Sequence, residues 1–412
     1  MRCGTPWQSR CEPRASIRHP RSSLTGSVRY YDPMHPQPAD SHILGLGTAL
    51  PGHCSKQVLA ERFFTRVLEH GEPTRQRDRA LRLVERIYPR SGIEMRYSVL
   101  PDYAADDPLD FEFYPSNWAL EPFPTTAQRM KIFEKASVEL AERAARRALD
   151  QARIAPSRVT HLIVCTCTGF FAPGPDVLLI HRLGLPPSVK RTLIGFMGCH
   201  AGFNGMHSAD QIVRSDPDAV VLQICVELCS LHFQKRTVTD FAIANCLFAD
   251  GCAAVVYGSQ PASDAASPPL FRLGASHSYV GAGSRDQMTW HIGDTGFEMR
   301  ISARVPASLR TLAPSFVRAL LDRAGLERSG VGGWALHPGG SKIVEALATA
   351  LQLRDTDIGS SLDVLRDHGN MSSATIFFVL ERLLQTGALN GPTVALGFGP
   401  GLSVEGAVLY PC

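Results

Sequence analysis

The feature that most constrains this chain is the repeated alternation of short, unbroken apolar runs with longer segments of helical period. VTHLIVCTCTG, RTLIGFMG, AVVLQICVEL and CAAVVYG are too short for helices and lack the polar alternation of half-exposed strands. Such runs predict strands buried on both faces, as happens where helices cover both sides of a sheet. Among them, KASVELAERAARRALDQA repeats Ala, Leu and Val at helical spacing and predicts a helix over 126–153, with a second helix at CHAGFNGMHSADQIVRS. The scheme then recurs: a helix near 304–325, the strand GWALHPGG, the helices SKIVEALATAL and MSSATIFFVLERLLQTG, and closing strands at TVALGFGPG and SVEGAVLY. Layered α/β packing around mostly buried sheets follows. At 412 residues the chain exceeds the size at which a single core stops growing. The expected halves are 41–262 and 268–412, divided by a Ser/Ala/Pro stretch near 259–269.

Elsewhere the signals are coarser. SHILGLGTALPG reads as an opening strand ending in a turn, and residues 55–89 as helical and basic. Residues 101–125 carry Pro and aromatics without a period, which predicts a long loop of the kind that covers a site. The first 40 residues are rich in Arg, Ser and Pro, poor in acids, and lack the apolar core of a secretory signal. They are expected to be a disordered extension, or to precede a natural start at Met34.

Composition removes several classes of function. The formal net charge is only +3 and no Lys/Arg run is interleaved with aromatics, so a nucleic-acid partner is not expected. No stretch approaches 18 uninterrupted apolar residues, which excludes a spanning helix. Cys165, Cys167, Cys225, Cys229, Cys246 and Cys252 lie in apolar, strand-like runs, where Cys behaves as a small hydrophobe. The total of eleven is odd, and the spacings in CTC and CVELC are not those of paired zinc ligands. A reduced, cytoplasmic protein without a metal site is expected.

Three polar residues interrupt this apolar framework. Cys199 follows a strand-like run and opens a helical one, with Gly198, Ala201 and Gly202 allowing close backbone approach. A thiol there faces the positive end of a helix dipole and unpaired backbone N–H groups, which would lower its pKa and supply oxyanion donors. The competing reading is another buried core cysteine. His337 sits at the carboxyl end of GWAL, where α/β proteins place catalytic groups, and imidazole is the usual base for a thiol. A hydrogen-bonded structural histidine is the alternative. Asn370, in DHGNMSSAT, is either a helix N-cap or an amide donor to a developing oxyanion. His368, two residues earlier, is a rival placed in the turn.

Together these segments resemble the chalcone synthase-like, or type III, polyketide synthases over residues 42–410. The residues that carry the likeness are GFMGCHAG around Cys199, WALHPGG around His337, GNMSSAT around Asn370, GFGPGLSVE at 397–405, and CVELCSLHF ending in Phe233. The resemblance implies a thiolase-like five-layered αβαβα fold made of two similar halves, and a homodimer. It also implies a cycle in which Cys199 takes an acyl group from an acyl-CoA starter and malonyl-CoA, losing CO2, extends it, with no cofactor beyond the CoA thioesters. His337 and Asn370 would stabilise the thioester and enolate oxygens, and Phe233 would gate the passage between CoA tunnel and cavity.

By the same likeness Arg86 and Arg90 would meet CoA phosphates, while Gly339 and Gly340 let backbone approach the pantetheine arm. Cys167, Thr168 and Ser372 would line the cavity, and Ala172 stands where a larger side chain reaches into the partner's cavity. Trp290 replaces a glycine of chalcone-forming enzymes and Met299 an aromatic gate, a pattern closer to the bacterial branch that makes alkylpyrones and alkylresorcinols from fatty acyl starters. Three rivals stay open. A carrier-protein-dependent β-ketoacyl synthase of the initiating type shares the Cys, His, Asn set. A hydroxymethylglutaryl-type synthase would need an acid near the cysteine, for which Glu227 is the sequence candidate. A catalytically dead scaffold homologue is the third.

Overall fold

The computed structural model describes residues 39–71, 74–259 and 267–412. The expected N-terminal extension and most of the link between the halves lie outside these residues. The first half contains β1 (His42–Ala49), β2 (His53–Lys56), α1 (Gln57–Glu69), α2 (Arg75–Ile87), β3 (Met95–Ser98), α3 (Thr126–Ala152), β4 (His161–Thr166), α4 (Pro175–Leu183), β5 (Lys190–Gly195), α5 (Ala201–Ser215), β6 (Val221–Leu228), α6 (Thr239–Leu247) and β7 (Asp250–Gly258). The second contains β8 (Phe271–Val280), β9 (Met288–Gly293), β10 (Gly296–Ile301), α7 (Val305–Ala324), β11 (Gly333–Leu336), α8 (Ser341–Leu351), α9 (Asp355–His368), α10 (Thr375–Thr386), β12 (Thr393–Gly399) and β13 (Ser403–Pro411).

The main sheet runs β5-β4-β6-β7-β1-β8-β13-β12-β11, and its two sides repeat one topology. In each, the first strand pairs antiparallel with the last, the last antiparallel with the penultimate, and the penultimate parallel with an earlier strand. The sides meet where β1 and β8 pair through His42 with Arg272 and Ile43 with Phe271. Helix α3 packs on β1, β6 and β7, α7 packs on β8 and β13, and α5 and α10 pack against strands of both sides. The order of layers is therefore α, β, α, β, α, as the resemblance implies.

Strand alternation explains why the runs are apolar throughout. On β6, Leu222, Ile224 and Val226 pack with Ala144 and Ala148 of α3, while Val221 and Cys225 turn to the middle layer with Ala201, Phe203 and Phe377. On β12, Val394, Leu396 and Phe398 join Leu309 and Leu320 of α7, and Ala395 faces the middle helices. Both faces of these strands are removed from water, so neither side needs polar residues, whereas β5 at the sheet edge, expected to be buried from RTLIGFMG, is exposed over Lys190–Leu193.

Elements without a clean period were not anticipated from sequence. Strand β8, FRLGASHSYV, is partly exposed and carries Gly, Ser and His. Helix α9 is rich in Asp, Ser and Gly, poor helix formers, yet it buries Ile358, Ser361, Val364 and Leu365 along one side. The loop over 101–125 holds short 3-10 turns, pinned by buried Asp102, which accepts from the backbone N–H of Phe113 at 3.1 Å and Tyr114 at 2.9 Å.

Close packing of β1 on α3 depends on glycine, because a Cβ at Gly45 would overlap the carbonyl oxygen of Ala148. Gly45→Ala is expected to cost about 1–3 kcal/mol as the helix is forced away. A urea midpoint unchanged from the parent protein would show that the interface can relax.

Candidate active site

Between β5 and α5 the chain reverses through Phe196 and Gly198, at φ 56° and 85°. A Cβ at Gly198 would overlap the Pro400 ring, so the Gly-Cys turn can pass under the GFGPG segment only as glycine. The Gly198 N–H donates to Cys167 Sγ at 3.0 Å, and His200 Nε2 donates to Ser403 Oγ at 2.6 Å, tying the turn to both halves. Cys199, directly before the helix, is buried.

His337 leaves the end of β11, and its backbone N–H donates to Leu396 O of β12 at 2.8 Å. Asn370 is held by its backbone, donating to Leu247 O at 3.0 Å and accepting from Ala249 N at 2.9 Å. Its Oδ1 accepts from the Ser372 N–H at 2.9 Å and from Thr375 Oγ1 at 3.4 Å. These bonds fix the amide orientation and turn the NH2 group to the Cys199 thiol. The N-cap alternative is corrected: Met371 precedes the 3-10 turn Ser372–Ala374 and Ala374 precedes α10, neither with a side-chain cap bond, while Asn370 braces the turn through Ser372 and Thr375. Cys199, His337 and Asn370 share one pocket, closed by Phe248, Met288, Ile301 and Phe398.

Burial dominates the electrostatics. It pushes the Cys199 thiol up to about 12, against the pull of the Ser372 hydroxyl and the Asn370 amide. It pushes His337 down to about 3, with nearby His200 acting in the same direction. The expectation of a thiol pKa lowered by the helix start is thus reversed: desolvation outweighs the dipole, and thiol and imidazole both rest neutral. Neither ring nitrogen of His337 has a hydrogen-bond partner among the described residues. Each such orphan costs about 1–3 kcal/mol, so the pocket holds unspent hydrogen-bonding capacity aimed at its interior.

Glu227 lies beneath the site, fully buried, accepting from Cys167 N at 2.9 Å, Thr168 Oγ1 at 2.8 Å and Ser373 Oγ at 2.6 Å. Burial raises its carboxyl to about 7. Its oxygens are engaged by these donors, so it braces the floor of the site and does not stand beside the thiol as a free acid. His368 stays outside the pocket, at the end of α9 between Tyr97 and Phe378.

Two further cavities flank the pocket. The outer one, about 1010 Å³, is bordered by Arg86, Arg90, Gly339 and Gly340, as expected, and by Lys342, which the sequence reading missed; it shares Ile301, Gly339 and Ile343 with the pocket. The inner one is lined by Trp290, Met299, Phe233, Cys229, Ala60 and Tyr103 of the covering loop. Phe248 borders both the inner cavity and the cysteine pocket. Phe233 lines the inner cavity and packs among Phe63, Phe64, Tyr103 and Tyr114. Trp290 and Met299 face each other across the β9–β10 hairpin. Cys167 and Thr168 pack against the cysteine turn and Glu227, whereas Ala172 is exposed on the surface and walls none of the three cavities.

Residues 36–261 match the family of chalcone and stilbene synthases through its N-terminal domain, and 274–411 match its C-terminal domain. The alpha-pyrone synthesis polyketide synthase-like Pks18 of Mycobacterium tuberculosis is 33% identical over 368 residues, covering 88% of this chain and 89% of its own. PKS-I of the brown alga Ectocarpus siliculosus superimposes with a TM-score of 0.82 at 30% identity, covering 92% of this chain and all of that one. The C-terminal type III polyketide synthase domain of Steely1, a type I/III hybrid from Dictyostelium, gives 0.81 at 27% identity, covering 90% and 99%.

A neutral resting thiol makes a measurable claim. Alkylation of Cys199 by iodoacetamide, followed by peptide mass mapping, is expected to accelerate about tenfold per pH unit from pH 7 to 10; a plateau below pH 8 would mean a resting thiolate–imidazolium pair. The raised carboxyl of Glu227 makes another. The folded state holds this proton up to about pH 7 while the unfolded chain releases it near 4.5. Its contribution to stability is therefore full below pH 4.5 and is lost as pH rises to 7, a fall on the order of 3 kcal/mol. Glu227→Gln is expected to remove that fall relative to the parent in urea unfolding at pH 4.5, 5.5 and 7. Parallel pH profiles for the two proteins would refute it.

Proposed function

The chain belongs to the chalcone and stilbene synthase family and is a type III polyketide synthase, an acyltransferase; from that premise we propose that Cys199 carries the acyl chain through iterative, decarboxylative condensation with malonyl-CoA. The observation that carries this reading is the convergence of Cys199, His337 and Asn370 on one pocket that opens into a cation-rimmed cavity.

In the first step His337 takes the thiol proton as sulfur attacks the starter thioester. With both groups neutral at rest, the charged pair forms only as that transfer proceeds. CoA leaves with a proton. Malonyl-CoA then occupies the same opening, and as CO2 departs, negative charge gathers on its thioester oxygen. The Asn370 amide and the His337 ring are placed to donate to that oxygen, and in a water-poor pocket such donors act with full force. The enolate carbon attacks the acyl–Cys199 carbonyl, and the lengthened chain returns to the cysteine. These donors suffice for the chemistry without a resident cofactor.

The reading extends to substrate. Its support is the aromatic and aliphatic part of the inner cavity's wall, with small Ala60 and Ala244 between Tyr103, Phe233, Phe248 and Trp290, and the likeness to the alpha-pyrone synthesis polyketide synthase-like Pks18. A medium or long acyl-CoA starter, extended two or three times and closed to an alkylpyrone or alkylresorcinol, fits such a wall. Trp290 Nε1, buried without a partner among the described residues, offers a donor to a polyketide oxygen in that cavity. No described helix is long and apolar enough to cross a membrane, and a cytoplasmic location is proposed. A homodimer is proposed because β5 is an open sheet edge that exposes Leu193, with exposed Met197 just beyond it, and a second copy could pair with that edge.

Purified protein supplied with malonyl-CoA and acetyl, C8 to C16, benzoyl or coumaroyl CoA starters is expected to release pyrones or resorcinols from the fatty starters, seen by mass spectrometry. Cys199→Ala is expected to abolish them. Turnover of malonyl-CoA alone, or of aromatic starters alone, would refute the substrate assignment. A single β-keto product would move the enzyme to the initiation of fatty-acid synthesis.

A further inference from the structure

Helix α2 carries Arg75, Arg79, Arg82 and Arg86, and the stripe continues to Arg90 in the turn that follows. Steps of four, three and four residues keep these side chains on one face of the helix, over a length of about 16 Å. All five are exposed, and none has a hydrogen bond or ion pair with another described residue. Elsewhere on the surface arginines are commonly paired: Arg146 with Glu142, Arg191 with Asp176, Arg304 with Asp286, Arg366 with Asp363. The acids on α2 are engaged elsewhere: Asp78 pairs with Arg77 at 3.0 Å, and Glu85 lies close enough to Glu61 of α1 to raise its carboxyl.

The stripe does nothing for the fold. The opposite face of α2 is anchored by buried Ala80 and Val84, while like charges four apart cost a few tenths of a kcal/mol each and a cation in the first turn opposes the helix dipole. Its position gives it a use. Arg86, Arg90 and Lys342 border the outer cavity, which no acidic residue lines, and they suffice for the phosphates of a CoA whose arm reaches the cysteine. Arg75, Arg79 and Arg82 do not border it; they lead away from its mouth across the surface.

A free CoA leaves those three untouched. A ligand that uses both features has the same pantetheine arm projecting from a broad acidic body. Resting on the assignment of Cys199 as acyl acceptor, we propose that α2 is the docking surface for an acidic carrier protein whose phosphopantetheine-bound acyl chain enters by the same mouth. Cys199 sulfur attacks the carrier thioester, the carbon–sulfur bond to pantetheine breaks, and the carrier's thiol departs with the proton given up by Cys199. An anionic membrane would also attract the stripe, but none of the large exposed apolar side chains lies on α2 to insert beside it.

The test compares two donors of one acyl group, octanoyl-CoA and octanoyl on a phosphopantetheinylated type II acyl carrier protein, by intact-mass rates of Cys199 acylation. The triple variant Arg75→Glu, Arg79→Glu, Arg82→Glu is expected to slow loading from the carrier at least about tenfold, with loading from CoA within about twofold. These side chains make no internal contacts, so its melting temperature should match the parent, and the Arg→Gln triple variant should fall between. Equal loss from both donors, or a parent protein that takes no acyl group from the carrier, would overturn the docking surface. So would stripe-dependent binding to phosphatidylglycerol vesicles with carrier loading unchanged. Failure of CoA loading in the parent itself would overturn the assignment of Cys199 instead, and the docking proposal with it.

Discussion

Strands β1, β4, β6, β7, β11 and β12 are buried on two faces, and this constraint organises the molecule. With α3 and α7 outside and α5 and α10 between, these strands can be apolar along their length, and polar side chains gather beyond strand ends. Cys199 follows the end of β5, at the sheet edge of one side, and His337 the end of β11, the counterpart of β4 on the other. Asn370 reaches the same place by a different route, through the backbone bridge that holds it beside Phe248. The pocket is thus where the layered packing runs out of strand, and its dryness follows from the packing that puts it there.

That dryness sets the chemistry. A thiol pushed up to about 12 and an imidazole pushed down to about 3 are poor reagents in isolation. The same burial that discourages charge at rest strengthens each donor once charge appears on substrate oxygens, because little water screens it. The two ring nitrogens of His337, without a partner among the described residues, are the groups left to meet a substrate oxygen or a thiol proton. Glu227 shows the contrary treatment: equally buried, but held by three donors, it supports the floor without entering the reaction.

Much of this was legible in the sequence because double burial leaves an unmistakable mark. The runs around 161–166, 221–228 and 393–399 read as covered strands, and the three candidate site residues stood out as polar residues interrupting apolar segments: Cys199 after β5, His337 after β11 and Asn370 after α9. What escaped were features decided by tertiary context. Helix α9 forms despite its Asp, Ser and Gly because it buries an apolar stripe, and β8 forms because β1 and β13 lie on either side of it. Phe248, which borders both the inner cavity and the cysteine pocket, carried no mark in the sequence beyond its place beside an apolar strand. The pKa of Cys199 escaped for a related reason: a helix start is visible in the sequence, but the depth to which it is buried is not.

The two ends of the passage obey opposite rules. At the cysteine every charge is suppressed by burial; at the mouth Arg86, Arg90 and Lys342 stand unopposed by any lining carboxylate. A substrate that is anionic at one end and apolar or weakly polar at the other is sorted by that gradient before any specific contact forms, since its phosphates cannot follow its acyl group inward without losing their solvation. Under the proposed assignment, orientation is settled by electrostatics at the mouth and chain length by the wall around Trp290 and Met299, while the residues along α2 stand apart from the thiol.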